Sequence, residues 1–217
     1  MDDLKKFIPG AMMGIVRAVI SHPFEIMKLR SQINYQGTFY KNLFKGVHYS
    51  IITNALERGL QFGLYEKFKS NDKNLISSAK ASLISSSLNL PYNIILLRNV
   101  IMKLSIQIPR NVFYKAACLE YTRNLNGSIL FLSSYNYLKE QELPILYRAP
   151  LSSALVWTLT YPIDSYKNLL LSNQSKEIIS VKRLYKGIQY PIIRAIPSSI
   201  IGFYVYEYML DYMNKPI

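Results

Sequence analysis

Cysteine is nearly missing from this chain: Cys118 is the one thiol in 217 residues. A single thiol excludes an intramolecular disulfide framework and any cysteine-based zinc site. Histidine is almost as scarce, and His22 with His48 cannot build a His-rich metal centre. Charge is thin as well, at 18% of residues against roughly 25% in an ordinary soluble domain. The shortage falls on acids, with 13 Asp and Glu facing 26 Lys and Arg, for a net charge of +13. Nothing in the chain suggests nucleophilic catalysis, a bound metal or cofactor, or a phosphate-cradling glycine loop, so an enzyme is not expected. Met1-Asp2-Asp3 lacks the basic flank of a secretory signal and does not read as an Arg- and Ser-rich transit leader. Any membrane targeting would therefore be internal. What remains is apolar matter: half of the residues, gathered into long runs. Low charge with a strongly basic balance suits a membrane protein with basic flanks, or a basic binder of nucleic acid.

Six apolar runs follow one another. The first spans Ile8 to Arg30, and the second ends at Tyr65-Glu66-Lys67-Phe68-Lys69. The third reaches Leu90-Pro91-Tyr92-Asn93, and the fourth ends at Tyr135-Asn136-Tyr137-Leu138-Lys139. The fifth passes through Tyr161-Pro162-Ile163-Asp164, and the sixth ends at Tyr206-Glu207. Each is roughly 20–28 residues long, enough to cross ~30 Å of hydrocarbon.

The runs repeat in pairs. Pro23, Pro91 and Pro162 recur at intervals of 68 and 71 residues. Phe44-Lys45-Gly46, Tyr114-Lys115-Ala116 and Tyr185-Lys186-Gly187 keep the same beat. Thirteen and nine residues before each proline stand Gly10/Gly14, Ser78/Ser82 and Ala149/Ser153, all small. Small residues four apart let a neighbouring helix approach closely in a membrane, and a proline inside a helix kinks it. Fixed-period similarity of this kind outranks other sequence signals. The expected fold is an all-α membrane protein of six transmembrane helices, kinked at Pro23, Pro91 and Pro162. It divides into three tandem two-helix units near 1–72, 73–142 and 143–217. Arginines at mid-run (Arg58, Arg123, Arg194) must then face a bundle interior or a water-filled cavity. Lysine and arginine concentrate in the connections after the first, third and fifth helices, which the positive-inside rule assigns to the more negative compartment.

Pro23-x-Glu25-x-x-Lys28-x-Arg30-x-Gln32 resembles, at every position, the signature of the mitochondrial carrier family, P-x-[DE]-x-x-[KR]-x-[KR]-x-Q. Pro162-x-Asp164-x-x-Lys167 is similar to its core, and Tyr65-Glu66-x-x-Lys69 to the family's second signature. The resemblance runs over essentially the whole chain and marks it as a shortened, partly degenerate member. It implies a threefold pseudo-symmetric bundle around a cavity that opens alternately to each side. The implied setting is the mitochondrial inner membrane, multi-pass, with both termini on the intermembrane-space side. Implied partners are the lipid bilayer, with cardiolipin, and a small metabolite; a monomer without nucleic acid or cofactor is expected.

The resemblance also gives the motifs roles. On the matrix side Lys28 would pair with Asp164, with Gln32 bracing the pair. Glu25 would face Leu96, and Asn93 would face Lys167, so two pairs are lost; Arg98 would partly compensate Glu25. A weakly closing matrix gate is expected. On the opposite side Glu66 would pair with Lys139 and Lys69 with Glu207, while Asn136 would face Leu210. The connection from Gln32 to Phe44 is too short for the usual matrix helix and its turn, so matrix helices should be short or absent.

The repeat selects a substrate site. Seven residues after Gly46, Ala116 and Gly187 come Thr53, Arg123 and Arg194, followed by Asn54, Asn124 and Ala195. Differences among three otherwise symmetric corners suit an asymmetric ligand. Two arginines there, with Arg58 and Arg17 adding positive potential, favour an anion, since guanidinium holds carboxylate or phosphate with two parallel hydrogen bonds. The competing reading pairs Arg123 or Arg194 with an internal acid, Glu120 or Glu57. A small carboxylate is favoured over a nucleotide, because the Arg-Asn pair resembles the family's carboxylate carriers. A non-transporting membrane adaptor is the alternative in another class.

Overall fold

The computed structural model describes residues 7–33, 35, 37–69, 74–87, 89–101, 107–174 and 180–214. The regular structure among them is helical: α1 (Ile8–Gln32), α2 (Val47–Lys69), α3 (Asn74–Ser86), α4 (Asn89–Ile94), a π-helical segment (Ile95–Ile101), α5 (Arg110–Glu140), α6 (Ile145–Leu171), α7 (Val181–Leu184) and α8 (Gln189–Asn214). Five of these are the long helices expected around Pro23, in the second, fourth and sixth runs, and around Pro162. The boundary expected near residues 72 and 73 lies outside the described residues.

Proline and glycine set the helix starts. Pro9 occupies the first turn of α1, where its missing N–H has no helical partner to lose. Pro109 and Pro144 stand as extended N-caps of α5 and α6. Before α2 and α8 the chain turns through Gly46 (φ 81°) and Gly187 (φ 88°), the left-handed region that glycine enters without a Cβ penalty. Their counterpart Ala116 is buried inside α5, which starts six residues earlier, so no such turn is required there.

The third helix departs from the expectation. It is interrupted between Ser86 and Asn89, and Pro91 lies in the first turn of α4 rather than kinking a continuous helix. A first-turn proline removes no intrahelical bond. Pro23 and Pro162, by contrast, lie inside unbroken α1 and α6. The connections after α1 and α6 hold little helix: residues 39–46 form turns, and α7 is a single turn.

Packing follows chain order and closes on itself. α1 packs on α2, α2 on α3, α3 on α5, α5 on α6, α6 on α8 and α8 back on α1. The small residues permit the closest contacts. A Cβ on Gly10 would lie 2.7 Å from the Arg58 carbonyl oxygen, and one on Gly14 would run into that of Asn54. On α3 the corresponding Ser82 hydroxyl donates to the Asn124 carbonyl at 3.3 Å. Gly14→Ala should therefore force two backbones apart and cost about 1–3 kcal/mol. Gly59→Ala, whose Cβ would meet Ala11 Cβ at an ordinary 3.4 Å, should be neutral or stabilising. Thermal unfolding of the two variants checks this contrast.

Polar and apolar surfaces are distributed inside out. Lys28, Gln32, Glu120, Asp164, Lys167 and Asn168 are buried, while Ile52, Leu56, Leu151, Leu155, Leu159, Ile193 and Ile196 are exposed. Among the described residues, no helix is long and apolar enough to cross a membrane. The sequence expectation of six sufficiently apolar spans is not met. The inward polar faces explain the shortfall, because an amphipathic helix averages its two faces. The apolar cluster sits at one end of the ring, built from Ile26, Leu29, Leu90, Leu96, Leu97, Leu170 and Leu171.

Candidate functional site

Beside that cluster lies a buried layer of charge. Lys28 Nζ of α1 donates to Asp164 Oδ2 of α6 at 2.9 Å. Lys167 Nζ, one turn on, donates to Asp164 Oδ1 at 3.3 Å and to Glu120 Oε2 of α5 at 2.5 Å. Arg123 Nη1 donates to Asp164 Oδ1 at 3.3 Å, and its Nη2 lies 3.7 Å from Glu120 Oε1. The side chains of Asp164, Glu120 and Lys167 are at most 2% exposed. Charges this deep hold together only because each has partners; attraction and desolvation nearly cancel.

Amide side chains extend the layer. Gln32 Nε2 donates to the Ser165 hydroxyl at 2.8 Å, and Asn168 donates to Gln32 Oε1 at 2.8 Å and to Asp164 Oδ2 at 3.3 Å. Gln32 thus lies against the residues flanking the Lys28–Asp164 pair. Two contacts repeat at the prolines. His22 Nε2–H donates to the Lys45 carbonyl at 3.0 Å, and the Tyr161 hydroxyl to the Lys186 carbonyl at 2.9 Å. Each ties the residue before a proline to the turn before the next long helix. Leu90, before Pro91, has no polar atom for this.

On the other side of the charged layer is a cavity of about 510 Å³, lined by residues of α1, α2, α3, α5, α6 and α8. Arg17, Arg58, Arg123 and Arg194 line it, with Asn124, Gln61, Tyr65 and Tyr135; Glu57 is the one acid among the described lining residues. Trp157, the chain's single tryptophan, stands where cavity and charged layer meet. Lys28 Nζ, Arg123 Cζ and Arg194 Cζ lie 5.2, 5.4 and 5.1 Å from its ring centroid. A tryptophan face attracts cations at this range, so one ring holds three of them in place. Two donor-rich guanidinium groups on such a ring can receive a carboxylate or phosphate.

No family model matches this chain. Curated relatives match it nearly end to end. Mitochondrial substrate carrier family protein Y of Dictyostelium discoideum is 20% identical over 96% of this chain and 69% of its own length. Family protein S of the same organism is 22% identical over 97% and 98%. Human Mitoferrin-1 is 23% identical over 95% and 82%. The chain is a relative of the mitochondrial substrate carriers. Those alignments extend over 278–299 positions against 217 residues here. The relatives therefore carry segments that this shorter carrier relative lacks.

In this carrier relative, the residues read from the sequence divide three ways. Arg58, Arg123, Asn124 and Arg194 line the cavity; Thr53 and Asn54 do not, and Asn54 donates to Ser50 on its own helix. Glu25 accepts from the Tyr92 hydroxyl at 3.1 Å, while Leu96 is fully buried in the apolar cluster. Arg98 donates to the Leu171 carbonyl at the end of α6, and Arg30 to the carbonyls of Thr38, Phe39 and Lys41. The expectation that Lys167 faces only Asn93 is corrected: Lys167 has Glu120 and Asp164. Arg123, weighed for the substrate or for an internal acid, is bound to two acids. On the far side Asn136, Lys139 and Glu207 are exposed, and the side chains of Glu66 and Lys69 lie outside the described residues. Trp157 and the contact of Glu120 with Lys167 were not read from the sequence. The signal for Glu120 was its asymmetry: Ser50 and Pro191 hold the same place after the other two aromatic-Lys turns.

Proposed function

We propose that this chain is a membrane transporter rather than an enzyme, passing an anionic metabolite through the central cavity by alternating access. The cavity wall carries the reading. Four arginines against one glutamate attract anions and repel metal cations, and about 510 Å³ suits a small metabolite. Arg194 and Arg58 supply binding charge, and Asn124, which accepts from Arg123 at 2.9 Å, fixes its orientation. A small carboxylate is the favoured class and a nucleotide the second.

The Lys28–Asp164 layer acts as the gate on one side, with the apolar cluster sealing it; the cavity reaches away from it toward Tyr65 and Tyr135. Ion pairs suit a gate because water can replace them when they part. With links at Lys28–Asp164, Lys167–Glu120 and Tyr92–Glu25, the closed side is better tied than one pair would make it. The exposed apolar faces of the helices support a lipid-facing exterior, since soluble monomers rarely expose contiguous apolar surface on this scale. By kinship with the carriers, the site of action is the mitochondrial inner membrane, with both termini toward the intermembrane space.

The test is counter-exchange in liposomes carrying purified protein, with labelled dicarboxylates in one series and nucleotides in another. Saturable exchange of one anion class, competed by its unlabelled form, is expected. Folded protein that exchanges no anion would overturn the transport reading in favour of a membrane adaptor.

A further inference from the structure

The position two residues after the proline carries an acid in the first and third units, Glu25 and Asp164, but Asn93 in the second. The structure nevertheless holds an acid against Lys167. It comes from a different helix: Glu120 Oε2 is 2.5 Å from Lys167 Nζ, with both side chains at most 2% exposed. Asn93 is not idle, because its Nδ2 donates to the same Glu120 Oε2 at 3.3 Å. Asn124 donates to Glu120 Oε1 at 3.0 Å, so both carboxylate oxygens are engaged.

We infer that Glu120 on α5 is the relocated acid of the gate's third link, with Asn93 converted from its acid to its hydrogen-bond donor. This rests on the transport reading for the word gate, but the relocation itself stands on the contacts. The chemistry is complementary. An aspartate at 93 would face Lys167 directly and need no helper, whereas an asparagine can donate to a carboxylate supplied by its neighbour. One cation, Lys167, is neutralised either way. The consequence is mechanical: the ion pair joins α6 to α5, and α4 is tied in only by the hydrogen bond of Asn93 to Glu120. Arg123, three residues along α5 from Glu120, lines the cavity and also contacts Asp164. Opening this gate therefore requires α5 to separate from α6, and Glu120 acts as a positioning residue for both.

A double-mutant cycle tests the relocation. Glu120→Gln should leave Lys167 with less counter-charge and lower Tm by roughly 6–12 °C. Asn93→Asp alone should also lower Tm, because it sets a second carboxylate against Glu120. Together the two substitutions should recover most of the wild-type Tm, since a second acid again faces Lys167 beside Asp164. The gate readout is modification of a Ser165→Cys reporter, in a Cys118→Ser background, by a membrane-impermeant maleimide. Glu120→Gln should speed modification about tenfold, and the double variant should slow it again. Additive Tm losses, or a modification rate that Glu120→Gln leaves unchanged, would overturn the inference. Neither readout uses a transported substrate, so its failure is distinct from a failure to detect exchange.

Discussion

Asp164→Asn is expected to destabilise the protein by about 3–5 kcal/mol, the range for breaking a buried ion pair by removing one partner. Asp164 is the hub of the charged layer, receiving Lys28, Arg123, Lys167 and Asn168 at 2.9–3.3 Å. The substitution keeps size and shape but removes the counter-charge of Lys28, a residue only 5% exposed. Glu120 would remain to serve Lys167 and Arg123, and Lys28 would be stranded. Thermal unfolding of purified protein should show a fall of roughly 10 °C for a chain of this size. Lys28→Met added to Asp164→Asn should recover part of the loss by removing the stranded cation. An unchanged Tm in Asp164→Asn would mean that the layer is not closed as described.

Arg194→Ala is expected to reduce anion exchange roughly 10–100-fold while leaving Tm close to wild type. The magnitude follows from losing one or two hydrogen bonds to a charged group, at about 1.5–3 kcal/mol. Arg194 lies on the Trp157 face and lines the cavity, and no ion pair is built on it among the contacts that define the charged layer. Arg123→Ala should differ in kind. It removes contacts to both Asp164 and Glu120, so it should lose stability and exchange together. The comparison separates a binding arginine from a structural one at positions that the repeat treats as equivalent. Equal Tm losses in the two variants would place Arg194 in the structural network too.

The repeat made part of this legible in advance. Lys28 and Asp164 lie 136 residues apart, and their pairing was expected from the resemblance of the Pro23 and Pro162 motifs to the carrier signature. The same resemblance put Gln32 beside the pair, while the repeat register located the Gly10/Gly14 seam and Arg58, Arg123, Asn124 and Arg194 in the interior. It failed where the second unit departs from the others. A run with Pro91 in its midst reads as a kinked helix. Whether it kinks or breaks depends on packing against α2 and α5, and here it breaks before Asn89 and widens into a π-helical segment. That change buries Leu96 and carries Arg98 to the end of α6.

By itself the sequence determined the helical class and that the mid-run arginines Arg58, Arg123 and Arg194 belong to the interior. These follow from periodicity, which is a property of the chain alone. Tertiary structure alone decided which acid meets which base. Glu120 reaches Lys167, Tyr92 reaches Glu25, and Trp157 gathers three cations, because pairing depends on how neighbouring helices rotate and approach. In a buried layer any unpartnered charge is costly, so where Asn93 stands in the position of Glu25 and Asp164, it is Glu120 of α5 that meets Lys167.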